Sequence, residues 1–388
     1  MASEHLENLS VNFDFFGYLK PWSRRKHRLL GKYLPPFSAK VAKATNNREI
    51  FCIDGFAGAA RYEDGSEGSP LLIAKFADEC ANWKNPVALK LINVEPDAKN
   101  EGIFDSLQQA TCEWTEKGIV TNINKDFRSA LPKILQTIGQ SPALFFLDPF
   151  GPTYIHFDDL KPILTRNQRI TELIINFDQD GLRRIADAAF SEKINPKTAA
   201  TNAQNISRVI GNDKWKAKID LGSQNSFEAE LILLREYMEN IAQFDYKVVA
   251  YPIRESLTAK PKYHFVYCTR HPDGIALMND FIREEEDLLY GDHVEFRLPL
   301  FLDEASLSNA IENRRAQLRS IVETYLQKNR KVTRGRIRND LLPLNFGEFH
   351  SKDYNALIQV LLKDGILREE TGKMRINDNH VLYVVSGG

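Results

Sequence analysis

At 388 residues the chain is longer than one ordinary hydrophobic core and calls for a large domain plus a smaller one. Hydrophobic residues make up 43% and charged residues 27%, the balance of a globular protein. Fifty-one basic against fifty-two acidic side chains leave a net charge of -1, which excludes a whole-molecule polycation and confines any nucleic-acid surface to a local patch. Cys52, Cys80, Cys112 and Cys268 lie far apart with no C-x-x-C pair, so neither a zinc site, any other metal site, nor a disulfide framework is expected. The first twenty residues carry Glu4, Glu7 and Asp14 and do not read as a signal. No apolar run approaches the ~20 residues of a membrane span, and the expectation is a cytoplasmic protein with no membrane contact.

Residues 18–44 read as a basic amphipathic helix, with Trp22, Leu29, Leu30, Tyr33 and Leu34 near one face. Arg24, Arg25, Lys26, His27, Arg28 and Lys32 crowd the rest, either as a solvated face or as a contact for phosphates. A short apolar run, Ile50 to Ile53, then ends on Asp54 and is followed by Gly55-Phe56-Ala57-Gly58-Ala59-Ala60. That is the pattern of a buried parallel strand emptying into a loop that passes close under a ligand. A helix is expected from about Leu71 to Trp83, and a strand over 88–94 that ends on Glu95. Glu95 is placed to accept hydrogen bonds from a ribose diol.

A helix over 97–116 and a strand over 118–123 lead to Asp126, which either accepts from an adenine amine or caps the helix beginning near Ser129. Ala143 to Leu147 is a second buried strand, ending on Asp148-Pro149-Phe150-Gly151. Another strand over 171–177 empties into Asp178. Residues 191–225 are polar, broken by Pro196, Gly211 and Gly222, and read as an insertion or lid. Tyr246–Ile253 and Lys262–Arg270 are strand-like and joined by only Arg254 to Pro261, too short for a parallel crossover, so they form an antiparallel hairpin.

From about Ser306 the register changes to helix, basic cluster, helix and two short strands flanking Thr371-Gly372-Lys373, the pattern of a winged helix. The cluster comprises Lys328, Arg330, Lys331, Arg334, Arg336 and Arg338 with no acid inside it, a candidate nucleic-acid surface. Residues 306–388 carry fourteen Lys/Arg against nine Asp/Glu. The second helix, with Lys352, Asp353, Asn355, Gln359 and Lys363, is only mildly basic, so protein docking is the other use of this fold.

Asp54 to Ala60 resembles the D-x-F-x-G-x-G signature of amino-methyltransferases, with Ala60 where the last Gly is usual. Asp148-Pro149-Phe150-Gly151 resembles their D/N-P-P-Y/F tetrapeptide, without the second proline. Together with Trp22-Ser23-x-x-Lys26, Gly65-Ser66-x-Gly68-Ser69-Pro70 and Thr269-Arg270-His271-Pro272, these motifs resemble the three-Cys-motif partner family of bacterial proteins. The resemblance implies an α/β, Rossmann-like class I methyltransferase sheet with an antiparallel last strand pair over 49–300, preceded by a helical segment over 1–48. A winged helix follows over 306–388. S-adenosylmethionine is the implied cofactor, bound by Asp54, Gly55, Phe56, Gly58, Glu95 and Asp126. Asp148, Pro149 and Phe150 face the methyl acceptor, an amine on a nucleic-acid base. The implied partner is a three-Cys-motif protein resembling radical-S-adenosylmethionine enzymes, with DNA or RNA as a further partner. Two other readings are a non-catalytic nucleic-acid-binding recruiter of that partner, and a metal-dependent nuclease built on the strand-end acids Asp54, Glu95, Asp148 and Asp178. His271 ends the last strand, as a site residue or a structural one.

Overall fold

A computed structural model describes residues 21–46, 49–97, 102–168, 170–190, 193–219, 226–256, 258–297, 304–373 and 376–385. They fall into two compact units. The first runs to Glu255 and includes Lys260–His271; the second holds Ser256–Ala259 and everything from Pro272 onward. The division therefore lies at Pro272 rather than near residue 300.

The first unit is an α/β sandwich around a seven-stranded sheet of order β3-β2-β1-β4-β5-β7-β6. In chain order these are β1 (Ile50–Asp54), β2 (Leu89–Val94), β3 (Val120–Ile123), β4 (Ala143–Leu147), β5 (Thr171–Phe177), β6 (Lys247–Ile253) and β7 (Tyr263–Thr269). All neighbours from β3 to β5 are parallel. β7 runs against both β5 and β6, so the short Arg254–Pro261 connection does form a hairpin, and it inserts β7 inside the sheet. β1 and β4, at the centre, are buried at every residue, which is why they read as unbroken apolar runs.

α1 (Pro21–Thr45) lies on one face, followed by α2 (Ser69–Ala81), α3 (Ile103–Glu116), α4 (Phe127–Ile138) and α5 (Phe157–Leu164). α1 contains Pro35 and Pro36, whose missing donors cost about 3 kcal/mol or more. Burial of Leu29, Leu30, Leu34 and Phe37, at about 1.5–3 kcal/mol each, outweighs that cost. The Tyr33 hydroxyl pins the helix: it donates to Glu172 Oε2 at 2.6 Å on β5 and lies 2.5 Å from the Tyr267 hydroxyl on β7, while Thr269 donates to Glu172 Oε1 at 2.7 Å. Of the basic residues expected as a solvated face or a phosphate contact, Arg25, Lys26 and His27 are buried, at 5%, 4% and 7% exposure, while Arg24 and Arg28 are exposed.

The segment expected as a lid is also corrected. α6 (Gln179–Phe190) is followed by α7 (Pro196–Ile210), α8 (Trp215–Lys218) and α9 (Ser226–Ala242). Ile206, Val209, Ile210 and Trp215 are buried in the same cluster as Phe145, Leu147 and Ile175 of the central strands. Asn195 caps α7 by accepting from Lys197 N. The polar residues here form the outer face of a packed layer.

The second unit holds α10 (Pro272–Arg297), α11 (Glu304–Lys328), β8 (Lys331–Thr333), α12 (Arg334–Leu341), α13 (Ser351–Lys363), β9 (Leu367–Glu369) and β10 (Val381–Val384). Its strands form a small antiparallel sheet of order β8-β10-β9. Asn279 and Asp280 on α10 bond the turn before α13 through Gly347 N, Phe349 O and Ser351. Among the described residues no helix is long and apolar enough to cross a membrane.

Candidate active site

The parallel strands β1, β2, β4 and β5 present Asp54, Glu95, Asp148 and Asn176 at or just past their C-terminal ends, where open α/β sheets bind ligands. Asp54 is fully buried beneath the loop it begins. Its Oδ1 accepts from Phe56 N at 3.3 Å, and the Ser69 hydroxyl also bonds it. Its Oδ2 has no partner. Burial pushes the carboxyl up to about 7. Glu95 is likewise buried and pushed up to about 7, and its Oε2 accepts from Gly58 N at 2.8 Å.

Backbone geometry explains the small residues of this loop. A Cβ on Gly55 would stand 2.7 Å from Leu147 Cδ2 and 3.1 Å from Phe127, so Gly55 is required by packing on β4 and α4. Gly58 lies in the left-handed region at φ 63°. Ala60 shares that region at φ 66°, a conformation that costs an alanine about 1–2 kcal/mol. The position where the signature usually carries glycine is thus one where this chain tolerates backbone strain. Gly68 passes under the same loop, its N–H donating to Ala60 O at 2.8 Å. A Cβ there would lie 3.0 Å from that oxygen.

Asp148 is held on both sides. Lys26 of α1 pairs with its Oδ2, and Asn176 of β5 donates to its Oδ1 at 2.7 Å. The Lys26 ammonium also lies 5.0 Å from the centre of the Tyr263 ring, and the Tyr263 hydroxyl donates to Trp22 O at 2.9 Å. Beside it, burial first and Lys26 second drive the His27 imidazole down to about 4. Its Nδ1 is buried without a partner. Beyond Asp148, Phe150 is 38% exposed and Tyr154 60%. Their rings meet edge to face at 6.4 Å, and Phe150 meets Phe56 the same way at 6.4 Å. Phe150 therefore does not pack inward, and two exposed aromatic rings set edge to face follow the carboxylate in the chain.

The remaining sequence candidates fall elsewhere. Asp126 is the N-cap of α4, accepting from Ser129 N at 3.0 Å, and bonds from the Ser129 hydroxyl first and its N–H second hold the carboxyl below the usual range. His271 follows Thr269 at the end of β7 that pairs with the start of β5, opposite to Asp148, and does not line this site. The basic cluster lies in the second unit and is not free of acids. Arg334 and Arg338 pair with Asp378, Arg336 with Asp340, and Lys331 with Glu370. Asn176 had no place among the sequence-predicted site residues, while Lys26 and His27 stood only as members of the basic helix and, for Lys26, of the motif Trp22-Ser23-x-x-Lys26.

No family model matches the chain, and no curated protein matches it. Among solved structures, one described as "a putative O-methyltransferase from Klebsiella pneumoniae" aligns at 14% identity over 65% of this chain and 88% of that one, with a TM-score of 0.31. A likeness that slight carries no argument about this chain.

Proposed function

We propose that the first unit is an S-adenosylmethionine-dependent methyltransferase domain. The observation that carries this reading is the bond from Gly58 N to Glu95 Oε2, which joins a left-handed loop after β1 to a buried acid after β2. A carboxylate in that place suits a ribose diol, and a loop with glycine at its left-handed position suits a close backbone approach. The residues present therefore fit the cofactor: Phe56, Gly58 and Glu95 hold it, while Gly55 and the sealed Asp54 shape the loop from beneath. When bound, the cofactor supplies an electrophilic methyl group whose departing bond pair stays with sulfur, while the accepting amine exchanges one N–H for N–CH3 and releases that proton.

On the acceptor side, Asp148 with Pro149 orients the amine, and the exposed ring of Phe150 or Tyr154 supports stacking of a nucleic-acid base. The second unit serves as a winged helix that engages nucleic acid through Lys328, Arg330, Lys331, Arg334, Arg336 and Arg338. A three-Cys-motif protein is the proposed partner. A non-catalytic recruiter is the second reading, favoured by the Lys26 ammonium that already occupies Asp148. The nuclease reading has little to stand on: among the described residues no three His, Cys, Asp or Glu side chains gather to hold a metal.

Calorimetric titration with S-adenosylmethionine and its demethylated product tests the reading. Micromolar binding in the wild type, lost in Gly58→Arg, is the expected result. An absence of binding in the wild type would remove the methyltransferase in favour of the recruiter.

A further inference from the structure

Asp148 is two residues from the exposed ring of Phe150, and it is not a bare anion. Lys26 reaches it from a helix 122 positions earlier in the chain and is itself only 4% exposed. Tyr263 backs the ammonium and is tied to the main chain of Trp22, so Lys26 is clamped rather than swinging. Asn176 fixes the other oxygen. An ionised carboxylate offers about four lone-pair sites. Two are taken here, and the side chain keeps 21% of its surface open.

We propose that Lys26 is a positioning residue of the acceptor site, which holds Asp148 and cancels its charge so that the site takes a neutral planar amine, such as that of adenine or cytosine, and turns away alkylammonium groups. The proposal rests on the methyltransferase reading above. A bare carboxylate in a partly desolvated crevice draws any ammonium strongly. A carboxylate already neutralised by a buried lysine offers an alkylammonium no net attraction and sets a like charge beside it. The lone pairs left on Asp148 still accept N–H donors from a neutral amine. The rings of Phe150 and Tyr154 give a flat acceptor a stacking surface that an alkyl chain cannot use as well.

The test compares wild type, Lys26→Met and Lys26→Arg on two acceptors, a single-stranded oligonucleotide rich in adenine and cytosine and a lysine-rich peptide. It reads label transfer from S-adenosylmethionine, and separately the binding of each acceptor by fluorescence anisotropy with the demethylated cofactor present. Wild type and Lys26→Arg are expected to label the oligonucleotide and not the peptide. Lys26→Met should lose at least tenfold in transfer to the oligonucleotide and gain at least tenfold in peptide binding, with affinity for the demethylated cofactor within threefold of wild type. Lys26→Gln serves the same comparison if the Met variant does not fold. Equal acceptor preference with and without the lysine charge overturns the proposal. So does wild-type transfer to the peptide, or to neither acceptor, while the cofactor still binds. Failure of the wild type to bind cofactor is a different result and removes the underlying reading instead.

Discussion

The backbone N–H of Gly58 and the carboxylate of Glu95 meet at 2.8 Å, tying the loop after β1 to the end of β2. Glu95→Gln keeps an acceptor for that N–H and removes the charge, so it separates ligand binding from loop integrity. Hydrogen bonds to a charged group contribute about 1.5–3 kcal/mol, and the affinity for S-adenosylmethionine should fall about 10- to 100-fold with the melting temperature little changed. Glu95→Ala should also lower the melting temperature, since it unties Gly58. Calorimetry and thermal unfolding on the two variants check both statements.

Asp54 makes the first unit sensitive to pH. Its carboxyl ionises near 3.8 in the unfolded chain and near 7 when folded, so folding takes up a proton between those values. Stability therefore declines as pH rises through that window, by on the order of 4 kcal/mol when complete above about pH 7. Glu95 adds a decline of the same sign between 4.5 and about 7. Asp54→Asn should be more stable than the wild type at pH 8, with the gain shrinking toward pH 5. Urea midpoints across that range measure it, and an unchanged slope in the variant would show that Asp54 is not the group responsible.

Ala60 sits at φ 66° and Ala60→Gly relieves it. The relief of about 1–2 kcal/mol is offset by about 0.5–1 kcal/mol of extra unfolded-chain entropy, leaving a net gain of several tenths to about 1 kcal/mol. A rise of a few degrees in melting temperature is the expected outcome.

Asp378 accepts from Arg334 at 2.7 and 2.9 Å and lies 3.1 Å from Arg338. Asp378→Ala should destabilise the second unit, because it removes the carboxylate that Arg334 and Arg338 pair with and so loosens the turn whose main-chain oxygen receives Gly335 N. It should also bind oligonucleotides more tightly at low salt, steepening the plot of log affinity against log salt by about 1.5 as two guanidiniums are released. An unchanged slope would assign the arginines to holding the fold rather than to phosphates.

What the sequence made legible was whatever depends on neighbours in the chain. β1 and β4 announce themselves because central parallel strands bury both faces, and the β6–β7 hairpin follows from the shortness of Arg254–Pro261. The roles of Gly68 and Ala60 were visible as motif positions but not as backbone geometry. Lys26 was hidden for a different reason. A charged residue on a basic helix reads as solvated unless its partner is known, and Asp148 is 122 positions away. Likewise Asp378 neutralises Arg334 from 44 positions along the chain, so a cluster without internal acids looked more cationic than it is. The helices α7 and α8 were masked by polar outer faces, although Trp215 and Ile206 are as buried as any central strand residue.

The insertion of β7 between β5 and β6 has a consequence for synthesis. β5 is complete at Phe177, but its second neighbour ends at Thr269, 92 residues later. At ~5–20 residues per second, the ribosome takes roughly 5–20 s to supply it, and through that interval one edge of β5 stands without its hydrogen-bonding partner. β6 emerges first yet lies beyond β7 in the sheet, so the place beside β5 waits for β7. The nascent chain is thus most vulnerable to wrong pairing just before Tyr263 emerges, and chaperone demand during translation should peak there.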